Sequence, residues 1–343
     1  MPEQFSIIRY SLQSQICYML CYVIARNTNY DFIPKIVLKS FLPLAIACVL
    51  GIILFFVQPE WYMNNIKEGY LEANGIVMPE DVMVDAVRLR SIFPDAYTLS
   101  YFTAIVIMYM IFRNTISANK SKKDYFLFFL FLITNMLCMM RAPMLCIFIA
   151  FVLSAIYSAK YLGNNRKIFK VLLVVFVLFI PILAVYNSMD NKVHDFIESK
   201  ISPSSDKKSS FVEDRLYLMK AEESLLGDGL GRHGRQGEIV GERFMPDGEY
   251  MKILQEQGYI GLCLIIFLFG IALLKGLYNF RYLYFETCLI IMVLICMIGA
   301  DPLSIDDKHC FIYWLALGRV SSFNNKNEKE NRFNRCYADY TQQ

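Results

Sequence analysis

The sequence predicts an all-α, polytopic integral membrane protein with about eight or nine transmembrane helices. Three observations predict it. Hydrophobic residues make up 56% of the 343 positions and charged residues only 19%, against roughly 45–50% and about 25% in an ordinary soluble domain. The apolar residues are gathered into runs long enough to cross a bilayer. Lys and Arg collect in alternate short connections between those runs, as cytoplasmic loops do. The same composition excludes a disordered chain and a small disulfide scaffold. The net charge is only +3, and the basic residues are spread over short loops, so nucleic acid is not an expected partner.

Taken in order, the candidate spans differ in quality. Residues 11–25 carry Gln13 and Gln15. Arg9 alone is a poor signal-peptide start, so this run is either a first span or an interfacial segment. Residues 40–57 and 142–159 are free of charge. Residues 97–112 and 125–140 are slightly short, with flanks that can extend them. Residues 168–186 hold only Lys170 and Pro181 as interruptions. Residues 259–274 follow Gln255 and Gln257, which suggests a polar first turn. Residues 282–300 contain one carboxylate, Glu286. Residues 309–320 are short and contain Arg319.

Orientation follows the cations. Arg26, Lys35 and Lys39 precede the second run, and Arg113, Lys120, Lys122 and Lys123 follow the third. Lys160, Arg166, Lys167 and Lys170, then Lys275 and Arg281, then the tail from Arg319 complete the set. Placing all five groups inside gives strict alternation. Residues 1–320 then form one transmembrane domain and 321–343 a cytoplasmic tail. The acid-rich segments 58–96 and 187–249 fall outside, the second being the larger. No 20–50-residue repeat is visible, so a solenoid is not expected. There is neither a GxxxxGK[ST] loop for an ATP-driven transporter nor an HExxH zinc motif.

The ten cysteines lie mostly in or beside apolar runs and form no CxxC pair. They read as small buried hydrophobes, with no zinc or thioredoxin-type site. No metal or other cofactor is expected.

The larger outer segment carries the candidate chemistry. Residues 202–208 read as flexible. From Phe211 to Leu225 apolar and charged residues alternate at near-helical spacing, which suggests a surface helix with Arg215 and Lys220 on its polar side. Then comes Gly227-Asp228-Gly229-Leu230-Gly231-Arg232-His233-Gly234-Arg235. Its backbone N–H groups and its arginines suit an anionic group, and the alternative is a plain exposed turn. Asp247-Gly248-Glu249-Tyr250 stands where the chain enters the next span. Partial burial can raise a carboxylate toward general-base range, and Asp247 can equally cap the helix. Arg141 sits between two runs with almost no loop. It either snorkels or serves an anionic ligand together with Arg88, Arg90 and Arg215. Glu286 either pairs with such an arginine or hydrogen-bonds within the bundle. Tyr282 and Tyr284 read as interfacial anchors.

In this order the features resemble the bacterial O-antigen and capsular-polysaccharide polymerases (Wzy type) and the related O-antigen ligases. The matches are Arg88-Leu89-Arg90 ahead of Pro94-Asp95, and Arg141-Ala142, where Met140 replaces the family's usual small residue. Arg215 followed by Gly227-Asp228-Gly229-Leu230-Gly231 is a third, and Asp247-Gly248-Glu249-Tyr250 ahead of Gly258-Tyr259-Ile260-Gly261 a fourth. They span roughly residues 40–300. Family members often have more helices ahead of the first match, so beside them this chain reads as short at its N-terminus. Ligases carry a His-Asn type pair where Asp247 and Gly248 stand here, which favours a polymerase over a ligase.

The resemblance implies a GT-C-like fold in the bacterial inner membrane with its site facing the periplasm. It implies a glycosyltransferase that joins undecaprenyl-diphosphate-linked oligosaccharide repeats, alongside a flippase and a chain-length regulator. In that scheme Arg215 stabilises the diphosphate leaving group, and Asp247 or Glu249 takes the acceptor proton. Arg88, Arg90, Arg141, Gly229, Gly231, Arg232, Arg235 and Tyr250 bind substrate. A transporter for lipid-linked glycans is the competing class; it would place charges deeper in several spans and show broken helices or repeats. A scaffold without chemistry would leave the arginine and glycine pattern unexplained.

Overall fold

The computed structural model describes residues 16–28, 32–64, 89–93, 95–116, 121–138, 140–163, 225–229, 248–300, 302–303 and 310–323. Among them there is no strand. Eight helices follow one another: α1 (Ile16–Asn27), then α2 (Phe32–Val57), α3 (Ala96–Ile116), α4 (Lys122–Leu137), α5 (Arg141–Leu162), α6 (Glu249–Tyr278), α7 (Phe280–Cys296) and α8 (Cys310–Ser322). A short helical stretch at 60–64 follows α2. By length and composition, α2, α3, α5 and α6 can each cross a membrane. Every candidate span has a helix on it except 168–186, which lies outside the described residues, as do most of 58–96 and 187–249.

The apolar runs mark where helices lie but not where they end. α2 starts at Phe32, eight residues before the charge-free run, because Lys35 and Lys39 are exposed and their heads can reach water from within a helix. α6 starts at Glu249 instead of 259. Its first turns are mixed in polarity, yet Glu249, Ile253 and Glu256 are buried against protein. α7 stops at Cys296, and 297–300 turn away.

α3 is the centre of the bundle: 72% of its spanning window is buried, against 22% for α6. Its neighbours are joined to it and to one another by polar contacts. Asn135 of α4 donates to the Ser100 carbonyl at 2.7 Å and to Thr103 Oγ1 at 2.9 Å. Thr115 and Ser154 hydroxyls pair at 2.6 Å between α3 and α5. Tyr284 of α7 donates to the Ala150 carbonyl of α5 at 2.9 Å. Each such bond is worth only about 0.6–2 kcal/mol between helices in lipid, so the set fixes the arrangement, not any one member.

α1 and α8, the two weakest runs in the sequence, pack on each other. Arg319 donates to the Thr28 carbonyl at 2.8 Å and Ser321 to the Tyr22 hydroxyl at 2.9 Å. Tyr18 stacks on Trp314 with centroids 5.1 Å apart. A Cβ on Gly318 would stand 2.9 Å from the Ala25 Cβ, so only glycine admits this approach.

The inter-helix contacts give the bundle two chemically different ends. Tyr157 with Arg281, Lys275 with Ser321, and Arg319 with Thr28 join helix termini at one end. That end also carries Arg26, Lys35, Lys39, Arg113, Lys122, Lys123 and Lys160. Arg113 and Asp124 form an ion pair there at 2.7 Å. The opposite end carries Arg90, Arg141 and Lys252 among the described cations. Between the ends the flanks are apolar, with Leu42, Phe56, Phe126, Leu264 and Phe267 exposed. A soluble monomer rarely shows such a belt. Six of the nine described cysteines are buried; Cys17 and Cys263 lie on the exposed flank and Cys21 is half-buried.

Candidate functional site

At the end with few described cations, the site is organised by a break in α6. Gly258 has φ 66° and ψ −167°, which no helix contains. An intact helix would bond the carbonyls of Gln255 and Glu256 to the amides of residues 259 and 260. Here those carbonyls accept from Asp228 N–H at 2.8 Å and Gly229 N–H at 3.0 Å, while Ile260 N–H donates to the Leu225 carbonyl at 3.3 Å. Residues 225–229 therefore form a strap that repairs the break. Broken backbone is tolerated at membrane depth only where something re-satisfies it. The fit is backbone against backbone. A Cβ on Gly227 would stand 2.5 Å from the Glu256 carbonyl carbon, and one on Gly258 would stand 2.6 Å from Gly227 N.

A second anchor lies at the start of α6. Gly248 is its N-cap, with φ 121° and no side-chain cap, and a Cβ there would stand 2.8 Å from the Ile298 carbonyl. Glu249 N–H donates to the Ala300 carbonyl at 2.9 Å and Tyr250 N–H to Met297 at 3.3 Å. The end of α7 thus satisfies the first amides of α6, which every helix leaves open. Glu249 is buried, and its Oε2 accepts the Leu303 N–H at 3.2 Å. The Tyr250 hydroxyl donates to the Leu294 carbonyl at 2.9 Å.

The half-helix from Glu249 to Gln257 is held at both ends, about 10–13 Å apart. The chain leaves it after Gly229 and returns to it at Gly248. Arg232, Arg235 and Asp247 belong to that tethered stretch. With Arg88, Arg215 and Gly231 they lie outside the described residues.

Arg90 and Arg141 meet the same end of the bundle from the other side. Leu89 N–H donates to the Leu137 carbonyl at 3.3 Å, and Ser91 Oγ donates to the Ala47 carbonyl at 2.5 Å. This seats the 89–93 loop on α2 and the end of α4. The Arg90 guanidinium stands 5.6 Å over the ring of Tyr62, a cation–π placement. Arg141 opens α5 and is exposed. One turn further, Cys146 Sγ lies 3.9 Å from Cys296 Sγ, so Arg141 is near the end of α7 on which Gly248 and Tyr250 rest.

The geometry gives several of this set partners within the bundle. The N–H groups of Asp228 and Gly229, expected to face an anion, donate to α6 instead. Glu249 accepts from the Leu303 N–H and the Tyr250 hydroxyl donates to the Leu294 carbonyl of α7, so both side chains have partners within the bundle. Glu286 is buried inside α7. Two residues escaped the sequence reading: Glu256, buried at the break, and Tyr62, buried beneath Arg90. The Gly258-Tyr259-Ile260-Gly261 segment was the only sign of the break. Among the described residues no three His, Cys, Asp or Glu side chains converge as metal ligands.

Fold and surface together define a class: a helical membrane protein, all-α in its described residues, with four helices able to cross a bilayer. No protein-family model matches the chain, and no curated protein is similar to it.

Proposed function

We propose that this protein is a membrane glycosyltransferase that polymerises lipid-diphosphate-linked oligosaccharide repeats, with its site at the outward-facing end that carries Arg90 and Arg141. The observation that carries the reading is the double anchoring of the half-helix Glu249–Gln257. Asp247 directly precedes one anchor, and Arg232 follows the other by three residues, a reach of about 10 Å. A general base and a phosphate-binding arginine are thereby tethered to one half-helix, with Arg90 and Arg141 at the same end. A diphosphate leaving group gains negative charge as it departs, and preorganised arginines stabilise that charge. An acceptor hydroxyl must lose a proton. With Glu249 bonded to Leu303 N–H, Asp247 is the better base. Arg215 keeps its role as leading arginine from the family resemblance.

The break in α6 favours a second reading, a transporter for lipid-linked glycans, because discontinuous helices commonly form transport sites. Against it, the strap takes up the freed carbonyls of Gln255 and Glu256. O-antigen ligation is the third reading, and the absence of His at position 247 argues against it.

Deletion of the gene in its host and complementation separates the three. A polymerase restores a ladder of glycan lengths, and Arg215→Ala abolishes the ladder at unchanged protein level. A ladder indifferent to Arg215→Ala removes that residue from the mechanism. Loss of all external repeats, and not of length alone, identifies a flippase. Long unattached glycan left on its lipid carrier identifies a ligase.

A further inference from the structure

Cys146 and Cys296 stand 150 positions apart in sequence, yet the fold brings their sulfurs to 3.9 Å between α5 and α7. The two helices run antiparallel: Arg141 opens α5 at the end where Cys296 closes α7. Small side chains let them approach. Cys146, Ala150 and Ser154 follow at one-turn spacing on α5, and all three are buried. Facing them on α7, Tyr284, Cys288, Met292 and Cys296 form a buried row at the same spacing. The Tyr284 hydroxyl reaches the Ala150 carbonyl at 2.9 Å, and Cys146 Sγ lies 4.0 Å from the Met292 carbonyl oxygen. Cys146 therefore rests against the backbone of α7 as well as against Cys296. The two thiols are only 2% and 0% exposed. Leu145 and Phe148 beside Cys146, and Ile298 two residues past Cys296, are exposed.

From this we infer that Cys146 and Cys296 are an oxidisable pair, converted to a disulfide by a quinone-class oxidant dissolved in the bilayer. Two S–H bonds break and one S–S bond forms. The two electrons and two protons reduce the quinone to its quinol. Disulfide sulfurs lie about 2.05 Å apart, so these two must close by about 2 Å. Rotation of a cysteine side chain to another staggered position supplies that movement between helices already in contact. Burial selects the oxidant: a protein or peptide disulfide in water does not reach the interface, whereas a small apolar oxidant approaches through lipid. Among the described residues no third His, Cys, Asp or Glu joins the pair, which suits a disulfide better than a metal ion. The cation pattern assigns this end to the outer side, where disulfides persist. The bond would staple α5, which starts at Arg141, to the end of α7. The Met297 and Ala300 carbonyls just beyond that end hold the first amides of α6. The inference rests on the packing of α5 against α7 and is independent of the glycan reading.

The test uses the full chain, one copy per nanodisc, treated with duroquinone, a fully substituted quinone that does not add thiols. The chain is then denatured with N-ethylmaleimide and its intact mass is read. The reduced chain has ten cysteines. Duroquinone is expected to lower the adduct count by two, peptide mapping to find the link between 146 and 296, and dithiothreitol to restore the count. Cys146→Ala and Cys296→Ala should each abolish that link. Cys146→Ser, which keeps the shape of the side chain, should behave as Cys146→Ala. Cys48→Ala, at a buried cysteine on α2, should leave the link intact. Glutathione disulfide, which stays in water, should not produce it. An unchanged adduct count with duroquinone overturns the proposal, as does a link between other cysteines in its place. A loss of two that persists in Cys146→Ala or Cys296→Ala also overturns it. An equal yield with glutathione disulfide overturns the membrane route of the oxidant.

Discussion

Gly227 and Gly258 lock together: the amide nitrogen of Gly227 stands 2.6 Å from the place a Cβ on Gly258 would occupy. The contact joins a segment far from α6 in sequence to the one point where α6 stops being helical. It exists because neither residue has a side chain.

Gly258→Ala adds a methyl group where φ is +66° and backbone already fills the space. The strap must lift, and the carbonyls of Gln255 and Glu256 lose their donors. The expected cost is about 2–4 kcal/mol, read as a lowered unfolding midpoint and earlier proteolysis near residue 225. Gly270→Ala, with nothing within 4 Å of the new Cβ, should change neither reading. Equal behaviour of the two variants would remove the interlock as a stabilising contact.

Glu249 and Asp247 should separate cleanly. Glu249→Gln retains an oxygen for the Leu303 N–H, so both fold and glycan ladder should survive. Glu249→Ala leaves that amide buried and unbonded, at about 1–3 kcal/mol, and lowers the protein level. Asp247→Asn should keep the level and abolish the ladder. A ladder lost in Glu249→Gln at normal protein level would return the base to Glu249.

The α1–α8 pairing predicts that Gly318→Leu displaces α1, because the Tyr22 carbonyl and the Ala25 methyl group leave no room for a side chain. With Trp61→Phe as background, Trp314 is the sole indole of the two in the chain. Its emission should shift as the stacked Tyr18 leaves. An unchanged spectrum would mean that α1 docks without this contact.

The Arg113–Asp124 pair is partly exposed on the arginine side, at 35%. A double-mutant cycle with Arg113→Ala and Asp124→Ala should give a coupling of about 1 kcal/mol or less, decreasing with salt. A coupling several times larger would place the pair in a much drier setting.

Where the sequence was legible, the signal was one-dimensional. An apolar run long enough to span a bilayer needs no partner to be recognised, so α2 and α5 stood out directly, while the runs on α3 and α6 were slightly short until their flanks were added. Arg319 made residues 309–320 look weak, because a cation in a short run is costly in lipid. Its bond to the Thr28 carbonyl, 291 positions away, removes that objection. The start of α6 was hidden for a similar reason. Glu249 and Glu256 interrupt an apolar count, yet both are buried against protein and not lipid.

The Gly227–Gly231 cluster was legible as special backbone, but its use was not. Glycine density signals close approach without naming what approaches. In this protein the partner is α6 itself at Gln255–Gly258. By itself, the sequence determined the membrane class, the helix positions and the charge difference between the two ends. All three follow from the transfer of each residue between water and lipid, which is a local property. Only the tertiary structure decided that α6 is broken and mended by a distant strap, that α8 holds α1, and that Glu249 is a buried clamp. Those facts depend on which backbone groups find partners across the bundle, and no single segment carries that information.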